Sequence, residues 1–470
     1  MSATQRQPFA QRFKTAVARF RARPEHGSQT TQPTPPAVPG LPLMGNALDF
    51  RRDPVKLFRR GYETFGPIFS IRLGPKRAAV ILGPENHKFF FTETDHALSM
   101  SEVYKVFIPI FGEGFTLAAE QEEYKEQRAI LQPAFSSQKM EDYVQVMLDE
   151  TAAWLRRLGD EGEFELCGAI EELSLNIIAS ALMGADFRRR MGDDFWSLYR
   201  DIVRGLEFVL PTNLPLPRFR RRDRARNILH QRIGALIAER RATHNGHHDF
   251  MQTLAEARYS NGAPVPEEKL KSMILFLVFS ASESTPLQAS WTLIQLLQHP
   301  GYLPGVLDEQ EAVLGNRAAN LNASTLQQLE RLQWAIKETE RMRPMITMLW
   351  RLTIKPYNVG GYHVPKGWAT IISPPVSHRL PDVFAEPDIY DPERFSPQRA
   401  EDRRALFSMA GFGGGAHKCP GMHFAHNLMK VIFSQLLQQY KLELMNPDPQ
   451  PDFSTSITRP EACPVRYKRR

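Results

Sequence analysis

Apolar residues recur at three- and four-residue spacing through most of residues 137–340, which predicts a largely helical middle for the chain. The longest pattern covers residues 267–298 and continues on both sides of Pro286. Shorter helical patterns occupy residues 54–64 and 422–440. The number and length of these segments predict a mainly α-helical protein.

Three runs rich in β-forming residues, at 67–73, 78–82 and 349–373, predict small β-sheets on either side of the helical region. No internal repeat is visible, and no Gly/Ser-rich linker divides the remaining sequence. We therefore expect residues 39–470 to form a single large domain, mainly α with small β-sheets.

Residues 1–38 are expected to precede this domain as a basic extension followed by a Pro-rich linker at 24–38. Residues 1–23 contain no acidic residue, and four apolar residues within them share one face of a short helical pattern. These four are Phe9, Phe13, Val17 and Phe20. A disordered tail is the simplest interpretation, and a membrane-surface helix and a transit peptide are the alternatives.

The chain has 59 basic and 52 acidic residues, which gives a net charge of +7 dispersed along its length. Solvated surface charge accounts for this balance, so no nucleic-acid partner is expected. The three cysteines are widely spaced and match neither a disulfide framework nor a zinc site, which favours a reducing compartment. The sequence contains no run of 18 apolar residues, so no membrane-spanning helix is expected. We expect a cytoplasmic protein, with peripheral membrane contact through the N-terminal segment as the alternative.

A glycine-rich run at 412–421 carries a single cysteine, Cys419, just before the helical pattern that begins at Met422. The glycines allow a close backbone approach, and the positive end of the following helix favours a thiolate. The spacing F-x-x-G-x-H-x-C-x-G, from Phe412 to Gly421, has a chance probability of about one in ten thousand in such a chain. It resembles the haem-thiolate signature of the cytochrome P450 family. The resemblance implies haem b, with Cys419 as the iron ligand and Phe412 against the cofactor.

A second resemblance to this family lies in residues 337–344, which carry an E-x-x-R helix motif in two competing registers, Glu338/Arg341 and Glu340/Arg343. The family pattern ends R-x-R/H-P, and this ending selects Glu338 and Arg341. The P-E-R-F motif at 392–395 implies that Arg394 is their third partner. The resemblance therefore implies a buried structural network of Glu338, Arg341 and Arg394.

The long helical pattern contains the sequence Phe279-Ser-Ala-Ser-Glu-Ser-Thr-Pro286, where the family usually has A-G-x-D/E-T. Alignment implies that Glu283 is the acid and Ser284 the alcohol, and that Ala281 replaces the glycine beside the substrate. Pro286 lacks an N–H and should kink or open the helix. Glu283, Ser284 and Thr285 are therefore the predicted catalytic residues, which deliver protons to bound oxygen. A structural ion pair is the alternative role for Glu283.

Residues 104–115 closely resemble the Y-x-x-F-x-x-P-x-F-G-x-G motif of the sterol 14α-demethylases. In that branch the tyrosine bonds a haem propionate and the phenylalanines line the substrate cavity, which implies these roles for Tyr104, Phe107 and Phe111. The resemblance also implies three further propionate ligands: Arg128, Arg351 and His417. That branch usually has a His-Thr pair where this chain has Glu283-Ser284, so the signature for sterol demethylation is not retained.

The combined expectation is a cytochrome P450 that inserts one oxygen atom from O₂ into an apolar small molecule, such as a sterol, a terpenoid or a related natural product. No flavin, ferredoxin or reductase segment is recognisable, so electrons from NAD(P)H should arrive through a separate reductase and a ferredoxin or flavodoxin. A true sterol 14α-demethylase, and a haem-thiolate enzyme that rearranges or dehydrates peroxides without a reductant, are the alternatives. A non-catalytic haem sensor is a further one.

Overall fold

A computed structural model describes residues 32–205, 214–243, 249–315, 320–453 and 457–470. The predicted apolar helix face within residues 1–23 lies outside these ranges. The described segments contain long helices in the middle of the chain and short strands toward its ends, as the sequence pattern predicts.

The α-helices in the ranges 54–65, 137–342 and 422–439 follow the predicted apolar periodicity, and several match the predicted limits within two residues. Six further helices, in the ranges 47–52, 84–131 and 374–377, were not predicted. In chain order the α-helices are α1 (Ala47–Arg52), α2 (Pro54–Phe65), α3 (Pro84–Glu93), α4 (Ser101–Tyr104), α5 (Ile108–Phe111), α6 (Gln121–Leu131), α7 (Ser137–Leu158), α8 (Leu166–Met183), α9 (Ala185–Met191), α10 (Phe195–Val203), α11 (Pro217–Thr243), α12 (Phe250–Ala255), α13 (Glu267–Gln298), α14 (Leu303–Leu314), α15 (Ala323–Gln328), α16 (Glu330–Met342), α17 (Pro374–Ser377) and α18 (Met422–Gln439).

The strands are short and form four small sheets. In chain order they are β1 (Ile68–Leu73), β2 (Lys76–Ile81), β3 (Leu98–Ser99), β4 (Glu161–Glu165), β5 (Leu349–Thr353), β6 (Tyr357–Val359), β7 (Tyr362–Val364), β8 (Ala369–Ile372), β9 (Tyr440–Leu444), β10 (Pro451–Asp452), β11 (Arg459–Pro460) and β12 (Pro464–Arg469). The largest sheet has the order β1-β2-β8-β5-β3, and a second has the order β4-β12-β9. The pairs β6-β7 and β10-β11 complete the set.

Helix α13 lies at the centre of the main core, where it contacts α8, α11, α16 and α18. It is apolar around much of its circumference, as expected for a helix surrounded by others. Leu270, Ile274 and Trp291 are among its buried side chains. The helix continues through Pro286, and the kink or opening expected there stays a prediction. The predicted acid and alcohol groups therefore sit on a scaffold that neighbouring helices support on several sides.

Helix α8 is long and apolar enough to cross a membrane by length and composition alone, the one such helix among the described residues. About 67% of it is buried inside the protein, where it packs against α7 and α13. Its apolar character therefore has an ordinary cause, since a helix covered by other helices needs no polar face. Cys167 at its start is buried, and so is Cys463 beside it.

The first described residues lie against the five-stranded sheet. The backbone N–H of Ser70 in β1 donates to the carbonyl of Pro36 at 2.7 Å, and its hydroxyl donates to the carbonyl of Pro35 at 2.9 Å. Val38 is 5% exposed and belongs to one apolar cluster with Phe69 and Ile71 of β1. The end of the Pro-rich segment thus packs onto the domain, while the boundary at residue 39 stays a prediction.

Candidate active site

The loop before α18 holds Cys419 in a fixed backbone frame. Its N–H donates to the carbonyl of Phe412 at 2.8 Å, which closes the loop. Gly413 and Gly415 have φ angles of +70° and +60°, a conformation that other residues adopt only with strain. A Cβ on Gly414 would lie 2.7 Å from the ring of Phe91, so a larger residue would force the loop away from α3. These constraints explain the glycines of the motif.

The Cys419 side chain is exposed, unlike those of Cys167 and Cys463. Burial among protein atoms raises the pKa of its thiol, while the Gly421 N–H and the charges of Arg128 and Lys418 oppose that rise. The two observations agree if the sulfur lies deep within the protein envelope and faces an open cleft. A thiol in this position is available to a metal centre and has cationic and N–H groups that favour its thiolate.

His417 is held in place beside the cysteine loop. Its Nε2 lies 2.6 Å from Oδ2 of Asp95, and its ring lies 4.4 Å, centroid to centroid, from that of Tyr124. Its Nδ1 is buried and has no hydrogen-bond partner among the described residues. Although burial favours the neutral acid, the bond to His417 and the charge of Arg351 hold the pKa of Asp95 below its usual range. No motif in the sequence indicates that Asp95 belongs to this site.

Arg351 lies in the same electrostatic cluster. It is 3% exposed in β5, and its Nε donates to Oγ1 of Thr94 at 3.1 Å. Burial raises the pKa of the Tyr104 hydroxyl, and the nearby Arg351 charge opposes that rise. The guanidinium also lies 4.8 Å from the ring centroid of Phe90. Two predicted propionate ligands, Arg351 and Tyr104, are thus close enough to interact.

Arg128 reaches the cysteine loop from α6. Its Nη2 donates to the carbonyl of Lys418 at 2.8 Å, and its Nη1 lies 3.4 Å from the hydroxyl of Tyr124. Phe412 lies on the helix side of the loop, with its ring edge toward that of His426 at 5.4 Å. The predicted cofactor ligands Arg128, Arg351, Tyr104 and His417 therefore come from four separate elements.

Glu283 lies on α13 and accepts a 2.6 Å hydrogen bond from the hydroxyl of Tyr199 on α10. Burial raises the pKa of this carboxyl to about 7, the bond from Tyr199 opposes the rise, and Glu171 adds to it. A carboxyl that titrates near neutrality both gives and takes protons under ordinary conditions. Tyr199 is a second residue that the sequence did not reveal.

The hydroxyls next to Glu283 are organised by helix backbone. Ser284 donates to the carbonyl of Ser280 at 3.1 Å, and Ser280 donates to the carbonyl of Leu277 at 3.1 Å. Thr285 is 7% exposed, and Ala281 is partly buried. A serine that donates to its own helix keeps oxygen lone pairs available as acceptors.

An aromatic cluster, here called the aromatic wall, packs between α5 and α13. The Phe111 ring lies 4.8 Å from that of Phe115 and 4.9 Å from that of Phe279, and Phe276 is 4.8 Å from Phe115. Phe107 joins at 6.1 Å from Phe115. The sequence predicted Phe107 and Phe111 as cavity residues, and that role stays a prediction. Phe276 and Phe279, which no motif indicated, pack against Phe111. Such a wall favours apolar molecules over charged ones.

The E-x-x-R helix forms a buried ion network. Arg341 bonds both oxygens of Glu338, at 2.7 and 2.9 Å, and Arg394 reaches the same carboxylate at 3.1 Å. Arg394 also bonds Glu401 at 2.9 Å, so two buried carboxylates balance two buried guanidinium groups. In the competing register, Glu340 bonds His426 instead. Glu401 is the partner that the sequence motifs did not indicate.

These features meet the requirements of a haem site. The macrocycle needs an accessible thiolate, and its two propionates need paired donors, because buried carboxylates are costly without them. Cys419 is exposed, Arg351 is buried, and Nδ1 of His417 is a buried nitrogen without a partner among the described residues. The donor set therefore fits an anionic macrocycle beside a cysteine.

Comparison with known proteins gives the class. The family model for cytochrome P450 matches residues 35–463, and the chain belongs to this family of haem-dependent oxidoreductases. It is similar to the sterol 14-demethylase of Arabidopsis thaliana, at 32% identity over 438 residues, or 91% of this chain and 90% of the relative. It is also similar to the lanosterol 14-alpha demethylase of Mus musculus, at 31% identity over 443 residues, or 92% and 86% of the two chains.

A solved structure supports the same assignment. Retinoic acid-bound cyanobacterial CYP120A1 aligns with a TM-score of 0.84 at 26% identity, covering 94% of this chain and all of that one. The predicted fold class and the predicted enzyme class are both confirmed. Family membership implies haem, O₂, a supply of reducing equivalents from partner proteins and an apolar substrate.

Proposed function

We propose that this protein is a haem-thiolate monooxygenase that inserts one oxygen atom from O₂ into an apolar small molecule, such as a sterol, a terpenoid or a related natural product. The observation that carries the proposal is the Glu283 carboxyl in the middle of α13, which accepts a 2.6 Å hydrogen bond from Tyr199 and whose pKa of about 7 suits proton delivery. Reductive oxygen activation consumes protons, whereas rearrangement of a peroxide does not. The relay therefore favours the monooxygenase over the peroxide-rearranging alternative.

In this proposal Cys419 would supply the thiolate ligand of the haem iron, and Phe412 would pack beside the cofactor. Tyr104, Arg128, Arg351 and His417 hold the propionates, and Asp95 orients the imidazole of His417 through their 2.6 Å contact. Haem b with a thiolate ligand supplies the redox chemistry that activates O₂ for insertion into a C–H bond.

The remaining steps belong to side chains of α13. Glu283 holds a proton in its neutral form and releases it toward the oxygen site. Ser284 and Thr285 carry hydroxyls that order water along this path, and their acceptor lone pairs keep that water oriented. Ala281 lies beside the substrate. The aromatic wall of Phe107 and Phe111 binds the apolar body of the substrate and excludes bulk water.

The substrate class is inferred from the wall and from the relatives. A cluster of five phenylalanines favours a large apolar molecule, and the similar curated enzymes are named as sterol demethylases. Retinoic acid, bound in the similar solved structure, is an isoprenoid with a long apolar body. True sterol 14α-demethylation stays an alternative, because Glu283-Ser284 stands where that branch usually has His-Thr.

A spectral titration of the purified ferric holoprotein tests this proposal. A panel of lanosterol-like and cycloartenol-like sterols, terpenoids and fatty acids is added, and the low-to-high-spin shift is recorded. A shift with sterols supports the demethylase-like alternative, and a shift with terpenoids alone supports a different monooxygenase. Reductant-free turnover of a hydroperoxide, without reductant-dependent oxygenation, would contradict the proposal.

Electrons are proposed to come from NAD(P)H through a separate reductase and a ferredoxin or flavodoxin. Reconstitution distinguishes these carriers directly. Substrate-dependent NAD(P)H oxidation with one carrier, and product formation in proportion, would support that carrier. NAD(P)H consumption that does not depend on substrate with either carrier would contradict the proposal that a ferredoxin or a flavodoxin delivers the electrons.

We further propose a cytoplasmic protein that touches anionic membranes peripherally. Four large apolar residues cluster near the start of the described chain with exposed fractions of 45–88%. They are Leu41, Leu43, Met44 and Leu48. Exposed Arg51 and Arg52 adjoin this patch, and residues 1–23 add six basic residues and no acid. Apolar side chains beside basic ones favour the surface of an anionic bilayer.

A further inference from the structure

Tyr199 has an environment that suits a specific partner for Glu283. It lies on α10 and is 2% exposed, and its hydroxyl donates to Oε1 of Glu283 at 2.6 Å. Its ring is stacked against Trp196, with centroids 5.8 Å apart. A second contact, 6.4 Å between ring centroids, joins it to Phe279. These two aromatic contacts hold the ring in place, so that its hydroxyl points toward Glu283.

Phe279 connects Tyr199 with the substrate wall. Its ring lies 4.9 Å from that of Phe111, so Phe279 belongs to the same aromatic cluster. Displacement of Phe111 or Phe279 by a substrate would therefore press on the ring that holds the Glu283 carboxyl. The aromatic wall and the acid are linked by direct packing.

The charged and titratable groups that act on Glu283 come from three neighbouring elements. Tyr199 reaches it from α10, Glu171 acts from α8, and Arg459 acts from β11. Glu171 is itself paired with Arg459, and Arg200 adds a further positive charge near it. Burial and Glu171 favour the neutral acid, while the Tyr199 bond and Arg459 favour the carboxylate. The Tyr199 hydroxyl thus acts on Glu283 through a direct hydrogen bond, whereas Glu171 and Arg459 act through their charges.

We propose that Tyr199 is a positioning residue for the oxygen-activation step, which holds the Glu283 carboxyl in its resting orientation and sets how readily that group takes up a proton. The inference rests on the proposed function, since it assigns Tyr199 through Glu283. It goes beyond that function because Tyr199 lies outside the acid–alcohol motif, on a different helix.

Infrared difference titration of the ferric holoprotein tests the inference without requiring turnover. The carbonyl band of a protonated carboxyl is followed with pH and assigned by its loss in Glu283→Gln. In Tyr199→Phe the ring stays and the bond to the carboxylate is lost, so the protonation constant should increase about tenfold. An unchanged or smaller constant would overturn the inference.

Tyr143→Phe is the matched control. Tyr143 is also a buried tyrosine, but its hydroxyl has no hydrogen-bond partner among the described residues. Its loss should leave the Glu283 band where it is. An equal increase in both variants would show a general effect of removing a buried hydroxyl, and would also overturn the inference.

A second measurement applies if Tyr199→Phe does not accumulate as holoprotein. In protein labelled with ring-deuterated tyrosine, the C–O stretch of the bonded tyrosine should shift as Glu283 titrates, and the shift should vanish in Glu283→Gln. A tyrosine band that does not respond to that titration would refute the contact. Full coupled turnover in Glu283→Gln would contradict the proposed proton relay. The infrared shift in Tyr199→Phe tests the positioning role separately.

Discussion

Nε2 of His417 and Oδ2 of Asp95 are 2.6 Å apart, although 322 residues separate them in the sequence. Asp95 adopts a φ of +74°, in the left-handed region that few non-glycine residues occupy. The pair thus joins the cysteine loop to the turn before β3. A strained backbone of this kind persists where the surrounding contacts hold it, and here the strained residue contacts His417 of the cysteine loop.

Replacing Asp95 by Asn should weaken haem retention. Asparagine also tolerates the left-handed conformation, so the change removes the carboxylate charge with little effect on the backbone. A hydrogen bond to a charged group is worth about 1.5–3 kcal/mol, which corresponds to roughly tenfold or more in haem dissociation. Haem transfer to an acceptor globin measures this rate.

The exposed Asp382→Asn serves as a comparison, since it also neutralises one carboxylate. It should retain haem as the unaltered protein does. Equal haem loss from both variants, or none from Asp95→Asn, would show that the Asp95 contact does not support the cofactor.

Cys419→Ser should abolish thiolate ligation and monooxygenase activity. Serine keeps the size of the side chain but is a poor ligand for ferric haem, so the carbon-monoxide difference spectrum of a thiolate-ligated protein should disappear. Cys167→Ala removes a buried cysteine instead and should keep that spectrum. Turnover at the original rate in Cys419→Ser would refute the ligand assignment.

The sequence predicted the parts of this protein that depend on local pattern. Helix α13 spans the predicted 267–298 because its apolar periodicity is continuous. The proline that ends the E-x-x-R motif also selected the register in which Arg341 bonds Glu338. Both signals lie within a few residues of the groups they describe.

The partners of the site residues could not be predicted in this way. Tyr199 meets Glu283 across 84 residues, and Asp95 meets His417 across 322. Neither partner belongs to a motif, and a lone Tyr or Asp carries no periodic signal. Their roles depend on how α10 and the turn before β3 pack in three dimensions, which a single sequence does not specify.

Glu338→Ala should be far more destabilising than Glu340→Gln. Removal of Glu338 leaves Arg341 and Arg394, both 0% exposed, without their shared carboxylate. Breaking a buried ion pair on one side costs about 3–5 kcal/mol. Glu340 bonds His426, and its amide analogue can keep a hydrogen bond there. Guanidinium unfolding of the holoproteins compares the two, and similar midpoints would contradict the structural role of the network.

Leu43→Asn should weaken binding to anionic vesicles. Leu43 is 88% exposed and has a φ of +61°, a conformation that asparagine accepts. Loss of one apolar contact of this size should reduce partitioning about tenfold, since a leucine side chain contributes about 1.5–3 kcal/mol when fully buried. Sedimentation with phosphatidylserine-containing vesicles measures the effect in the full chain.

Leu406→Asn is the control for the vesicle experiment, because Leu406 is 68% exposed and lies outside the patch of residues 41–48. It should bind vesicles as the unaltered protein does. If Leu43→Asn also binds as tightly, or if neutral vesicles bind equally well, the patch does not dock on anionic membranes.

Glu283→Gln should slow oxygen activation while leaving substrate binding near normal. The neutral acid is the proton donor, so turnover of the unaltered protein should fall as pH rises through about 7, where this carboxyl loses its proton. The glutamine variant cannot donate and should show low, uncoupled turnover without that pH dependence. Spin-shift titration and product per NAD(P)H consumed separate the two effects, and loss of binding would give Glu283 a structural role.

Glu283→Gln, which should lower activity, should raise the stability of the folded protein. The pKa of Glu283 is about 7 in the fold against an ordinary 4.5, so between these values the folded state binds more protons than the unfolded chain. The unfolding free energy of the unaltered protein should therefore fall as pH rises across this window, by about 3 kcal/mol in total. Glutamine does not ionise, so the stability advantage of Glu283→Gln should grow from pH 5 to pH 8. Glu172→Gln, at an exposed position of α8, provides the control for the loss of one carboxylate. An advantage that is constant with pH would contradict the raised pKa, and with it the reason for treating Glu283 as a proton donor near neutrality.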